Sequence, residues 1–179
     1  RSDSTKWRHF DDDVLPLWTA DMDFRVAEPI IDALRARVEH GVFGYGVEPP
    51  ELREVLVARM AALYGWRIHP DDIVFQPGVI EGFQQVCRVA AASTDGVIFQ
   101  PPVYPHIVEA PAHNGSIHQE APLVRLADGR YEIDIDTFEA AVTDDTRVFI
   151  LCNPHNPVGR AFRRDELTRL AEICVRRNV

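Results

Sequence analysis

The sequence predicts an α/β fold, a mostly parallel sheet with helices on both faces. Three observations carry that expectation. Short apolar runs rich in Val, Ile and Phe alternate with stretches of helical period. The run Arg147-Val148-Phe149-Ile150-Leu151-Cys152 is apolar with no polar alternation, as in a central strand covered on both faces. Prolines and glycines follow the apolar runs at Gln76-Pro77-Gly78, Gln100-Pro101-Pro102 and Asn153-Pro154, where strands hand over to the next element.

Residues 1–14 are polar and end in Asp11-Asp12-Asp13, which reads as an exposed arm. Leu15-Pro16-Leu17-Trp18 begins an extended, partly buried segment, since Pro16 opposes helix. Glu28-Pro29 opens the first helix: proline is tolerated in the first turn, and an acid suits the positive N-terminal end. Ile30, Ile31, Leu34 and Val38 form one stripe of it, and Gly41 ends it. The aromatic-glycine run Phe43-Gly44-Tyr45-Gly46 follows. A second amphipathic helix starts near Pro50, with Leu52, Val55, Leu56, Met60 and Leu63 on its inner face.

Strand–helix alternation then takes over. Ile73-Val74-Phe75 reads as a short strand. Helix 79–91 follows, with Ile80, Phe83, Cys87 and Ala90 inward. Val97-Ile98-Phe99 is a strand stopped by Pro101-Pro102, and a helix covers about 104–113. Ser116–Glu120 is strand-like, Asp128-Gly129 is a surface turn, and Tyr131–Ile135 alternates before a short helix at 136–142. After the strand at 147–152, helix 164–177 carries Leu167, Leu170, Ala171 and Cys174 on one side. The order favours parallel neighbours joined by crossover helices.

Composition removes several function classes. Lys+Arg is 19 and Asp+Glu is 28, giving −9, a poor electrostatic match for nucleic acid or anionic lipid. No run of apolar residues is long enough to cross a membrane, and the charged start lacks the apolar core of a signal peptide. Cys87, Cys152 and Cys174 lie far apart in apolar runs, as reduced, buried thiols of a cytoplasmic protein do. No metal-ligand spacing occurs among the cysteines and seven histidines, so no metal is expected.

Three loops stand where ligands bind in open α/β sheets, beyond the C-terminal ends of strands. Gln76-Pro77-Gly78-Val79-Ile80 opens a helix, whose free N–H groups and dipole attract anions; an ordinary βα turn reads the same way. Gln100-Pro101-Pro102-Val103-Tyr104 sets an aromatic ring past a strand, either to stack on a flat heteroaromatic ligand or to cap the sheet. Asn153-Pro154-His155-Asn156-Pro157-Val158-Gly159 holds two Asn-Pro pairs, each proline keeping its predecessor out of helix. The result is a stiff loop that fixes an Asn amide.

Together these loops resemble the fold-type I pyridoxal-phosphate enzymes of the class I/II aminotransferase superfamily. Asn153–Gly159 is similar to that family's Asn-Pro-x-Asn-Pro-Thr-Gly loop, with Val158 in place of Thr. Leu17-Trp18-Thr19-Ala20-Asp21-Met22-Asp23-Phe24 and His40-Gly41-Val42-Phe43-Gly44-Tyr45 resemble the MalY/PatB-like cystathionine β-lyase branch. The resemblance runs from about Lys6 to Val179. It implies pyridoxal 5'-phosphate as cofactor and an amino-acid substrate. The N–H groups of Val79 and Ile80 would hold the phosphate, Tyr104 would stack on the pyridine ring, and Asn156 would bond the phenolic oxygen. Tyr45 would reach the phosphate of a neighbouring subunit, implying a homodimer, and Ala20 and Asp21 would line the substrate side.

The resemblance also implies residues not found here. No catalytic residue is assigned within this chain: the cofactor-binding lysine, an Asp beneath the pyridine nitrogen and an Arg for the substrate carboxylate fall beyond Val179. Of the 19 cations 18 are Arg, and Lys6, in the polar arm, reads as a solvated charge. The chain is therefore expected to be the N-terminal portion of a longer enzyme. Residues 1–45 would belong to the small domain or dimer interface, and 46–179 to an incomplete cofactor-binding large domain. A C–S β-lyase is the leading reading. An aminotransferase on the same scaffold, or a catalytically incomplete binding or dimerisation module, are the rivals.

Overall fold

Two proline-started helices form the first part of the chain. Helix α1 spans Glu28–His40 and stops at Gly41, whose φ of 71° is a left-handed conformation that suits glycine. Helix α2 spans Pro50–Tyr64. The structure, a computed structural model, describes residues 3–179; Arg1 and Ser2 of the expected arm lie outside the described residues. By its contacts the chain divides between Arg67 and Ile68 into two units. Helix α2 therefore groups with the N-terminal unit, whereas the sequence placed the break after residue 45.

Two expectations for this unit are corrected. Neither α1 nor α2 has a buried residue. Of the residues expected on the inner face of α2, Leu52, Leu56 and Met60 are half-buried, while Val55 and Leu63 are exposed. The arm is also not simply solvated. A single 3-10 turn at Thr5–Trp7 is capped by the Ser4 hydroxyl, which accepts from the Lys6 N–H at 3.1 Å. That turn puts Lys6 inward, 9% exposed.

The C-terminal unit holds the sheet. Helix α3 spans Val79–Ala90, strand β1 Gly96–Phe99, helix α4 Pro105–Asn114 and strand β2 Ile117–Glu120. Strands β3 (Val124–Arg125) and β4 (Tyr131–Glu132) form an antiparallel hairpin. Helix α5 (Ile135–Ala141), strand β5 (Thr146–Phe149) and helix α6 (Arg164–Arg177) complete the chain. The three-stranded sheet has the order β2-β1-β5 and is parallel throughout.

The central strand is β1, with all four residues buried. Strand β5, expected at the centre, is an edge among the described residues, and its Arg147 is exposed. The segment 73–75 is not a strand. It leaves a 3-10 turn at Pro70–Asp72 as extended chain and meets Pro77, too short a stretch to extend the ladder, and Val74 is 74% exposed. The alternation at Tyr131–Ile135 ends early because the Asp134 carboxylate accepts from the Thr137 N–H and starts α5.

Helices cover both faces, as the alternation predicts. On one side Val97 and Phe99 pack with Cys87 and Ala91 at the end of α3 and with Ile107 and Ala110 of α4. On the other, Ile98 packs with Phe138 of α5 and with Leu170 and Ile173 of α6. Two inward assignments shift by a residue or two: Ala91 is buried where Ala90 was expected, and Ile173 where Ala171 was. A fully buried aliphatic or aromatic side chain contributes about 1.5–3 kcal/mol, so these two layers hold the strand ends in place.

Candidate functional site

Both covering helices of the first layer start at the same edge of the sheet as the loop after β5. Helix α3 begins at Gly78, which has no side chain, so no cap bond reaches its first N–H groups from the N-cap position. The one acid of its first turn, Glu81, folds back: a Cβ on Gly78 would come within 2.6 Å of Glu81 Oε2. A carboxylate is thus drawn to the place where the helix favours an anion.

Tyr104 sits just before α4, with Pro105 in the first turn fixing the chain direction. Its ring is half-buried and packs edge-on to His106 at 5.0 Å between centroids. The third wall is the loop after β5. It turns back at Gly159, whose φ of 68° is left-handed, and closes through His155 N–H to Arg160 O at 2.6 Å and Gly159 N–H to His155 O at 2.8 Å.

These walls enclose a cavity of about 340 Å³. Its lining includes Val79, Ile80, Tyr104 and Asn156, together with Asn153 and Cys152. Four residues singled out from sequence in three separate loops therefore meet at one place. The volume is within the range of small-molecule sites, about 300–1,000 Å³. Apolar side chains from Phe83, Ile107 and Ile150 form much of the remaining wall.

The two asparagines of the loop differ. The Asn153 Oδ1 accepts from the Phe162 N–H at 3.0 Å, which closes the loop on the segment that leaves it. Asn156 is exposed; its backbone N–H points to Cys152 Sγ at 3.4 Å. The loop's far end is anchored by Arg160, which donates to Tyr131 O and to Glu166 Oε1, each at 2.6 Å.

Sequence reasoning missed Cys152, Asn153 and His155. Cys152 is half-buried in the cavity wall, not fully buried as expected. His155 is 2% exposed, with Nδ1 at 3.0 Å from Cys152 O and Nε2 at 3.0 Å from Pro102 O. The signal that could have found it was its place between the two Asn-Pro pairs.

Tyr45, Ala20 and Asp21 lie in the N-terminal unit. Tyr45 is fully exposed. Asp21 gives its carbonyl to Lys6 Nζ at 2.8 Å and its carboxylate to the Ser4 hydroxyl. Lys6 also pairs with Asp23 at 2.7 Å, and Trp7 Nε1 donates to the other Asp23 oxygen at 2.7 Å. The Lys6 hydrogen bond, then that of Trp7, holds the Asp23 carboxyl below the usual carboxylate range. The solvated reading of Lys6 is thus overturned: its partners lie 15 and 17 residues away, beyond what local composition shows.

The donor set fits pyridoxal phosphate: an uncapped helix start for a phosphate, a ring beside it and an exposed amide on a fixed loop. Comparison with known proteins points the same way. The family described as aminotransferase class I and II matches residues 12–179. Cystathionine beta-lyase PatB of Bacillus subtilis is 38% identical over 168 residues, covering 93% of this chain and 43% of that protein. Protein MalY of Escherichia coli is 30% identical over 182 residues, covering 98% and 46%. Cystalysin from Treponema denticola, solved with pyridoxal 5'-phosphate, superposes with a TM-score of 0.85 at 28% identity over 99% of this chain and 47% of that one. The chain thus spans a little under half the length of these relatives. The matched span and the converging loops together show that the chain belongs to the aminotransferase class I and II family.

Proposed function

We propose that this chain is the N-terminal portion of a pyridoxal-phosphate-dependent carbon–sulfur β-lyase. It cleaves cystathionine or a cysteine S-conjugate to a thiol, pyruvate and ammonia. The observation that carries the cofactor part of the reading is the meeting of Val79, Ile80, Tyr104 and Asn156 on one cavity at the C-terminal edge of the sheet. The lyase names of the relatives support the reaction type.

When bound, pyridoxal phosphate supplies the electron sink for loss of the Cα proton. The chain's own residues bind and orient. The N–H groups of Val79 and Ile80 hold the phosphate at the start of α3. The Tyr104 ring lies against the pyridine and keeps water from that face. The Asn156 amide donates to the phenolic oxygen and stabilises its negative charge. Tyr45 reaches the phosphate bound by the other subunit of a homodimer, and Ala20 and Asp21 line the substrate side. The covalent lysine, the Asp for the pyridine nitrogen and the Arg for the substrate carboxylate come from beyond Val179. Lys6 is committed to Asp21 and Asp23 and takes no part. The acidic charge balance and the three free cysteines support a cytoplasmic setting.

An aminotransferase is the second reading. It is favoured by a structural neighbour described as a putative aminotransferase from Clostridium difficile, 35% identical with a TM-score of 0.87. The phosphate, ring and amide contacts serve both reactions. The test is to supply the full-length enzyme with cystathionine and a keto acid and to follow pyruvate, thiol and the new amino acid. Pyruvate and thiol formation outpacing amino transfer is expected. Clean transfer without thiol release would give the case to the aminotransferase.

A further inference from the structure

His155 is a buried polar side chain, 2% exposed, beside the cavity wall, and the cofactor contacts proposed above leave it unused. Its two ring nitrogens face two main-chain carbonyls, Cys152 O and Pro102 O, each at 3.0 Å. Those carbonyls belong to different loops. Cys152 opens the turn that carries Asn156; Pro102 is two residues before Tyr104. The ring is covered on one side by Phe162, with centroids 5.5 Å apart. Its own backbone is fixed on both sides, by bonds to Arg160 O and from Gly159 N–H. The side chain therefore cannot swing without breaking contacts in both loops.

We propose that His155 is a positioning residue of the cofactor site. Its imidazole straps the Asn153–Gly159 loop to the Pro101–Tyr104 loop and so sets the distance between the Asn156 amide and the Tyr104 ring. The strap suits this task because both bonds are to backbone, which moves the loops themselves and not just a side chain. A carbonyl only accepts, so bridging both takes a donor on each ring nitrogen, and an amide nitrogen likewise supplies two hydrogens. Glutamine is therefore the conservative replacement, and leucine removes the donors. The inference rests on the proposed cofactor for the identity of the ligand, but the strap itself is a property of the two loops.

The experiment compares the full-length enzyme with its His155→Gln and His155→Leu variants. First, hydrogen exchange is followed by mass spectrometry in the apoenzymes, over peptides covering 101–104 and 152–160. Faster exchange in both segments of His155→Leu, largely reversed in His155→Gln, is expected. Faster exchange confined to 152–160 would overturn the strap. Second, each apoenzyme is titrated with pyridoxal phosphate, alone and combined with Asn156→Ala. His155→Leu should weaken binding at least tenfold, and Asn156→Ala should then cost less than it does in the parent. An undiminished Asn156→Ala penalty would mean that His155 only fills space. Should His155→Leu fail to fold, His155→Phe keeps a ring against Phe162 while removing the donors, and serves in its place. A parent enzyme that takes up no pyridoxal phosphate would sink the cofactor reading, while the exchange data would still decide the strap.

Discussion

Asn153 and Asn156 look alike in sequence, each held before a proline, and the structure separates them. The Asn153 amide oxygen is spent on the Phe162 N–H, so its task is to close the loop. Asn156 faces the cavity with its side chain exposed. Asn156→Ala in the full-length enzyme should weaken pyridoxal phosphate binding by about 1.5–3 kcal/mol, the usual scale for a hydrogen bond to a charged group. Asn153→Ala should instead lower the melting temperature and leave most of the affinity in place. Titration of the apoenzymes, paired with melting curves, checks this; a larger affinity loss for Asn153→Ala would reverse the assignment. A second residue-scale consequence concerns acid. The Asp23 carboxyl is held below its usual value of 3.8, chiefly by Lys6. A group depressed in the folded state contributes stability above its unfolded pKa and loses it as pH falls through the folded one. The arm should therefore stay attached at pH 5–7 and let go only below the usual carboxylate range. Trp7 and Trp18 fluorescence during acid titration would show the release, and Asp23→Asn should abolish the step. A release midpoint near pH 6 would contradict it.

At the scale of elements, strand β1 depends on a close approach. A Cβ on Gly96 would lie 2.0 Å from Gln119 Oε1. That side chain is not free to move aside: it accepts from the buried Thr146 hydroxyl at 2.8 Å and donates to Thr143 Oγ1 at 3.0 Å. Gly96→Ala should cost about 1–3 kcal/mol by overpacking, read from urea unfolding; adding Gln119→Ala should recover part of the loss. A neutral Gly96→Ala would show that the Gln119–Thr146 bond is dispensable. At the start of α3, Glu81 brings a carboxylate to the place proposed for a phosphate. Glu81→Gln should raise affinity for pyridoxal phosphate by a few-fold, in line with about 0.3–1 kcal/mol for a charge at a helix end. Unchanged or weaker binding would remove Glu81 from that place. Elements of this kind show what sequence can carry. Helix α6 was legible because its apolar spacing and acidic first turn are local signals. The segment 73–75 was not: it stays extended without forming a ladder, and ladder pairing is no part of a local pattern. Lys6 was misjudged for the same reason: its carbonyl and carboxylate partners arrive from a distant stretch of chain.

For the whole molecule, the C-terminal unit is covered on both faces, while the N-terminal unit keeps its apolar side chains in view. Leu34 is 61% exposed on α1. Strand β5 leaves an edge, which in open sheets invites pairing with another chain. The 179-residue chain on its own should therefore self-associate at micromolar concentration. Light scattering behind size exclusion should give a mass well above 20.3 kDa, rising further in sulfate, which strengthens apolar burial. A concentration-independent 20.3 kDa species would refute this. The buried lysine gives the molecule a built-in reporter. Since Lys6 is the sole lysine and its amine is engaged on Asp21 and Asp23, a side-chain amine becomes reactive only when the arm opens. The rate at which an acylating reagent marks Lys6 then measures the free energy of that local opening. It does so at fixed pH in an amine-free buffer, without a ligand, and in the presence of any other protein that can be separated by mass.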